Sequence, residues 1–195
     1  MIYGILLAAG MGRRMGRPKA LMEFRVGTLH SRGVGLIRSA GLEVMVVVNP
    51  VVSDALRKAG PEEQRVLNPD PEAGGGMFRS VQLGVGHALA LGASGVVVIP
   101  VDLPLVTPDD VRAVVAALRA GSPIAVATHL SRRGHPVGMN LAVMREVADA
   151  APGSTLRDLV RRDPGRVSLV EVSEGAILGV NTREELERLL ARSFR

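Results

Sequence analysis

The sequence has no cysteine and no tryptophan, and only one tyrosine and three phenylalanines. Without thiols there can be no disulfide, no thiolate metal site and no cysteine nucleophile, a composition that suits a reducing compartment. The shortage of rings leaves little for nucleobases to stack on. That weighs against a nucleic-acid surface despite a formal charge of +5. The arginines are scattered, except at Arg13–Arg17 and in two short pairs, which suits a small polyanion better than a polymer. Lysine is almost missing: Lys19 and Lys58 are the only two. No apolar run approaches the roughly 20 residues that span a bilayer. Met1 leads directly into a strand-like IYGILLAAG, with no basic leader and no small-residue cleavage site. The expectation is a cytoplasmic protein without membrane or nucleic-acid partners, a monomer or weak homo-oligomer.

What is present is aliphatic. Hydrophobic residues make up 47% of 195 positions, enough for one domain, 1–195, with its own core. Strand-like runs at Ile2–Ala9, Glu43–Asn49, Arg65–Leu67, Gly95–Val101, Ile124–Thr128, Val167–Val172 and Ala176–Val180 alternate with helical patterns. Those patterns lie near Leu29–Ala40, Val52–Ala59, Phe78–Leu91, Pro108–Ala120, Leu141–Ala150, Thr155–Arg162 and Arg183–Ala191. Continuous Val/Ile/Leu runs suit parallel strands covered on both faces. Thr107-Pro108-Asp109-Asp110 offers an N-cap, a proline at the first helical position and two acids at the positive dipole end. Thr182-Arg183-Glu184-Glu185 is a capping box. The alternation predicts an α/β fold: three layers, a mostly parallel open sheet with helices on both faces. GHPVGMN reads as a small antiparallel excursion in the C-terminal half. Ligands in such sheets bind beyond the carboxyl ends of the strands. The residues to inspect are therefore Gly10–Lys19, Asn49, Asn68–Ser80, Asp102–Pro104 and Asn181.

The first of these stretches, LLAAGMGRRMGRPKAL, is both glycine-rich and basic. Glycines let backbone amides approach an anion, and Arg and Lys neutralise what the amides hold. A Walker loop needs GxxxxGK followed by Ser or Thr, and here Gly16 is followed by Arg17-Pro18-Lys19-Ala20. A dinucleotide fingerprint needs a smooth entry into a helix and an acid ending the second strand. Here Pro18 interrupts and the second strand ends in Asn49. A third reading is a nucleotidyltransferase loop, whose pattern LAAGxGxRMGxxK this stretch resembles.

Leu7-Ala8-Ala9-Gly10-Met11-Gly12-Arg13-Arg14-Met15-Gly16-Arg17-Pro18-Lys19 resembles the signature of the MobA-like NTP transferase family, most nearly its molybdenum cofactor cytidylyl- and guanylyltransferases. NPDPEAGGGMFRSVQLG is similar to the family's segment before the third helix, and VVVIPVDLPLVTP to its metal-binding strand end. RGHPVGMN is similar to the GHP segment of the cytidylyl branch, and GVNTREEL to the closing turn. The run Gly74–Phe78 departs from the Gly-Met-Gly-Ser-Ser-like run of that branch.

The resemblance implies a Rossmann-like nucleotide-diphospho-sugar transferase fold. It implies an NTP held by Leu7, Ala8, Ala9, Gly10, Gly12, Arg13, Lys19, Asn49, Asp70 and Asp102. Arg13, Lys19 and Asp102 would act in catalysis, Asp102 and Asn181 would hold Mg²⁺, and Ser80 and His135 would face the acceptor. Asn49, Asp70 and Asn181 also read as ordinary turn and cap residues. LAAG, rather than the LAGG usual in the guanylyl branch, points to CTP, since a methyl at Ala9 crowds a purine more than a pyrimidine. The implied acceptor is a phosphate-bearing small molecule, molybdopterin first, with pyrophosphate released. A sugar-1-phosphate or other phospho-acceptor transferase, a non-catalytic nucleotide-binding domain and a basic nucleic-acid module are the alternatives.

Overall fold

The computed structural model describes residues 1–58, 63–72 and 76–191. Seven strands, β1 Ile2–Ala8, β2 Glu43–Val48, β3 Gln64–Leu67, β4 Gly95–Pro100, β5 Ile124–His129, β6 Arg132–Asn140 and β7 Val167–Glu171, form one sheet. Its order is β3-β2-β1-β4-β6-β5-β7. Every pairing is parallel except the two that β6 makes. The helices are α1 Leu29–Ser39, α2 Pro50–Arg57, α3 Gly76–Ala90, α4 Pro108–Arg119, α5 Leu141–Asp149, α6 Leu156–Arg162 and α7 Arg183–Ala191.

Strand alternation sorts the core into two layers. Leu6 and Ala8 of β1 join the cluster under α1, α2, α4 and α7. Ile5, Leu7 and Ala9 join the cluster under α3, α5 and α6. An added Cβ at Gly84 of α3 would lie within 3.0 Å of Ile5 and Val47, so the helix rests directly on the sheet there. The expected caps form. Thr107 Oγ1 accepts from Asp110 N–H while Asp110 accepts from Thr107 N–H, and Thr182 and Glu185 do the same.

Two expectations need correction. The helix expected over Val52–Ala59 runs over Pro50–Arg57 instead, and Ala59 lies outside the described residues. Ala176–Val180 is not a strand: Glu174–Ile177 forms a 3-10 turn and the chain then runs on unpaired with the sheet. Its apolar residues plug the core, Ala176 and Val180 being buried, without making a ladder. The antiparallel excursion expected in the C-terminal half forms as β6, which sits between β4 and β5. Proline is normally excluded from such a position. Here the β5–β6 register shifts between Val126 and Thr128, with Val126 opposite Val137 and Thr128 opposite Arg133. Gly134, His135 and Pro136 thus face a single β5 residue, and this bulge both absorbs the proline and re-aims His135.

Candidate active site

β1 continues to β2 on one side, whereas its other neighbour is β4. The chain order reverses there, and the crevice beyond the carboxyl ends of β1 and β4 is where an open α/β sheet accepts ligands. The Gly10 loop leaves β1 and Asp102 follows β4, so the topology brings them together. A cavity of about 200 Å³ lies at this point, lined by Leu7, Ala9, Gly10, Lys19, Ser80 and Asp102 among others.

At its edge, Lys19 Nζ donates to Asp102 Oδ2 at 2.7 Å and to Asn181 Oδ1 at 2.9 Å. These three residues are separated by 83 and 162 positions in sequence. Lys19 is 17% and Asp102 26% exposed at the side chain, so the pair is shielded yet open to a ligand. Several local features hold it. Lys19 opens a 3-10 turn after Pro18, and Val180 N–H donates to Asp102 O at 2.8 Å. Glu185 accepts from Asn181 N–H at 2.6 Å, which holds its carboxyl below the usual carboxylate range.

The other expected residues divide. Gly10 lines the cavity, and an added Cβ there meets nothing within 4 Å, leaving its backbone open to an incoming group. Gly12 is required by the turn itself: its φ is +62° and a Cβ would fall 2.0 Å from Arg17 O. Ala8 packs into the opposite core layer, unlike Leu7 and Ala9. Arg13 is exposed and pairs with Glu72. Asp70 accepts from Glu72 N–H at 3.2 Å in a turn.

Asn49 is corrected as a direct ligand contact. It is fully buried, donating to Ala9 O at 2.9 Å and capping α2 through Val52 N–H at 2.8 Å. It fixes the end of β1 from behind. Ser80 lines the cavity and accepts from buried Asn68 at 2.9 Å. His135 lies in a second, neighbouring cavity. Gly74 and Gly75 lie outside the described residues. Asn68 and Glu72 lie within the stretch Asn68–Ser80 singled out by its place after β3, with no role of their own assigned there, and the signal for the Glu185 grip on Asn181 is its capping box.

The family description MobA-like NTP transferase domain matches residues 4–167, a span that holds this loop, Lys19 and Asp102. The chain belongs to that family. Among relatives, it is 32% identical to nicotine blue oxidoreductase of Paenarthrobacter nicotinovorans, over 97% of this chain and 96% of that one. It is 36% identical to a probable molybdenum cofactor guanylyltransferase of Opitutus terrae, over 54% of this chain and 50% of that one. The crystal structure of Rv0371c from Mycobacterium tuberculosis aligns with a TM-score of 0.84 at 27% identity, covering 99% of this chain and 100% of that one. A second structure of that protein, in complex with manganese, aligns at 0.77 with 26% identity over 98% of each chain. As a MobA-like chain, the protein is a nucleotidyltransferase with a seven-stranded, mostly parallel sheet. Among the described residues no helix is long and apolar enough to cross a membrane.

Proposed function

We propose that the protein transfers CMP from CTP to the phosphate of a small-molecule acceptor, molybdopterin first, and releases pyrophosphate. The observation that carries this is the meeting of Lys19, Asp102 and Asn181 beside Gly10 at the β1–β4 switch point. Gly10 amides and Lys19 suit a triphosphate, and Arg13 reaches it once it leaves Glu72. A phosphate monoester has its second pKa near 6 and is largely dianionic at neutral pH, so it attacks without a general base. The protein then needs only to align the two substrates in line and to offset charge on the leaving pyrophosphate.

The donor set fits a divalent ion. Asp102 and Asn181 direct two oxygens at one point, the point held by the Lys19 ammonium. Mg²⁺ takes one or two carboxylates and completes its shell with water and substrate phosphate oxygens. When bound, the ion supplies positive charge to the triphosphate oxygens. The manganese complex of the M. tuberculosis protein supports a hard, oxygen-seeking cation here. Lys19 releases its two oxygens as phosphate arrives and turns its charge to the phosphate.

Ala9 supports CTP over GTP. Its methyl lines a cavity of only about 200 Å³, which favours the smaller base. The guanylyltransferase relative favours GTP. A redox reading rests on the name of the oxidoreductase relative. It finds no acid at the end of β2, where Asn49 is buried as a cap.

A thermal shift with Mg²⁺ and each of CTP, GTP, ATP, UTP and NADH decides among these. A ligand at about 100 times its dissociation constant stabilises by about 2.7 kcal/mol. A selective response to CTP is expected, followed by pyrophosphate release on adding molybdopterin. Selectivity for GTP overturns the Ala9 argument, and a response to NADH alone overturns the transferase reading.

A further inference from the structure

Asp110 caps α4, but a capping aspartate needs only the first turn of its own helix. This one is buried, 5% exposed, and a buried carboxylate is costly unless its oxygens are well hydrogen-bonded. Its further bonds reach across the molecule. Ser173 N–H donates to Asp110 Oδ1 at 2.9 Å and Ser173 Oγ donates to Asp110 Oδ2 at 2.7 Å, beside the Thr107 N–H at 2.8 Å. Ser173 is 63 positions away and opens the 3-10 turn that leads on to Asn181.

Residues 173–181 lie outside the sheet and run antiparallel beside residues 102–107, the loop that carries Asp102. The two stretches are fastened at both ends. Ser173 meets Asp110 at one end, and Val180 N–H donates to Asp102 O at 2.8 Å at the other. Between these points a Cβ added at Gly175 would fall 2.2 Å from Leu105 O, so backbone rests on backbone. On the other flank, Ala176 O would lie 2.0 Å from a Cβ at Gly134. Gly134 lines the larger, neighbouring cavity of about 680 Å³, as do Arg133, Arg157 and Arg161. The 102–107 loop has a separate anchor, since Arg32 of α1 donates to Pro104 O. Contacts this close leave no loose side chain to absorb a shift, so a displacement at Ser173 is passed along the segment.

We infer that Asp110 is a positioning residue for the donor site. Through Ser173 it sets where residues 173–181 lie against the loop after β4, and with that the spacing of Asn181 from Asp102. Asp110 itself touches neither nucleotide nor ion. Mg²⁺ demands near-ideal octahedral geometry, so the spacing of two protein oxygens decides how well it is held. That consequence rests on the reading of Asp102 and Asn181 as the ion-binding pair; the coupling from Ser173 to Val180 does not.

Three variants separate the two uses of Asp110. Asp110→Ala removes the cap and the link to Ser173 together. Ser173→Pro removes the N–H and the hydroxyl of the link and leaves the cap, and the φ of −65° at Ser173 already suits proline. Thr107→Ala removes the oxygen that accepts from Asp110 N–H and leaves the link. Hydrogen exchange on the full chain, without ligand, reads the Val180 amide relative to the amides of β1, which cancels any global loss of stability. Protection should fall about ten-fold or more in Asp110→Ala and Ser173→Pro, as hydrogen bonds to a charged group are lost, and hold in Thr107→Ala. Should Asp110→Ala fail to fold, Ser173→Pro carries the test. The second readout is the Mg²⁺ concentration that gives half the thermal response to CTP. It should rise about ten-fold in the same two variants, as when contacts behind a metal ligand are removed, and stay at the wild-type value in Thr107→Ala. Unchanged Val180 protection in Ser173→Pro, an equal loss in Thr107→Ala, or lost protection with an unchanged Mg²⁺ requirement overturns the inference. Lost protection in a chain whose wild type responds to no nucleoside triphosphate overturns the transferase reading and leaves the coupling standing.

Discussion

The two cavities are built on opposite plans. In the smaller one the polar groups satisfy each other: Lys19 holds Asp102 and Asn181, and Asn68 holds Ser80. In the larger one they do not, since three arginines and His135 Nε2 have no partner among the described residues. The difference follows from position. The donor crevice sits at the sheet's switch point, where loops from distant strands converge and can order one another. The second cavity lies between a short helix and a bulged strand, which supply walls and charge but no internal counter-ion. One site is preorganised by its own ion pair; the other has no such pair among the described residues.

Breaking the smaller site at Asp102 should have the largest effect. Asp102→Ala removes the carboxylate at the centre of the network, and turnover should fall by about a thousand-fold or more. The fold should persist, because the backbone bond from Val180 N–H to Asp102 O does not need the side chain. Pyrophosphate release at the normal rate from the folded variant would sink the assignment. Lys19→Ala comes next, with a loss of about a hundred-fold in turnover. The thermal response to CTP–Mg²⁺ should weaken with it. Replacing Arg157 and Arg161 of α6 by alanine sharpens the contrast, since both line the larger cavity only and the response should stay at the wild-type value.

The same contrast describes what could be read from the chain. The loop after β1 was legible as a loop because its glycines and Pro18 break the strand pattern, and its Lys19 meets Asp102, the acid after β4. Parallel strands were legible as unbroken Val/Ile/Leu runs, and Asp102 as the acid directly after one. Burial without pairing was not, so Ala176–Val180 reads as a strand although it fills the core outside the sheet. Asn49 reads as a ligand residue because it ends a strand. Its use as a cap on α2 and a tether for Ala9 depends on α2 starting one residue later, at Pro50. Apart from the GHP segment, the second cavity leaves no order to read. Arg133, Arg157 and Arg161 meet only because β6 lies beside β5 and α6 packs against that face.

His135 gives the larger cavity a pH signature. Burial lowers its pKa from 6.5 to about 4, opposed only in part by the Asp102 carboxylate. Between those values the unfolded chain binds a proton that the folded chain does not, so stability must fall as pH drops through that window. The full loss is roughly 3 kcal/mol, from about 1.4 kcal/mol per pKa unit. Denaturant unfolding at pH 7 and pH 4.5 checks it, the first lying above the unfolded pKa of 6.5 and the second just above the folded one. His135→Gln should remove most of the pH dependence in that interval. An unchanged slope in the variant would assign the loss to other groups.

The smallest effect should come from the contact that joins the two parts of the donor site. Glu72 holds Arg13 across the crevice from the glycine loop, and the arginine side chain is 79% exposed. An exposed ion pair contributes about 0.2–1 kcal/mol. A triphosphate that recruits Arg13 has to break that pair, so the pair lowers nucleotide affinity by the same amount. Glu72→Gln should therefore tighten CTP–Mg²⁺ binding by about 1.4- to five-fold, since 1.4 kcal/mol is a factor of ten. Raising the salt concentration should shrink the gain by screening the pair in the wild type. Arg13→Ala should weaken binding and make Glu72→Gln silent in the double variant. If Glu72→Gln has the same effect with and without Arg13, Glu72 acts on the nucleotide directly, as a repelling charge at the rim, and Arg13 does not contact the triphosphate.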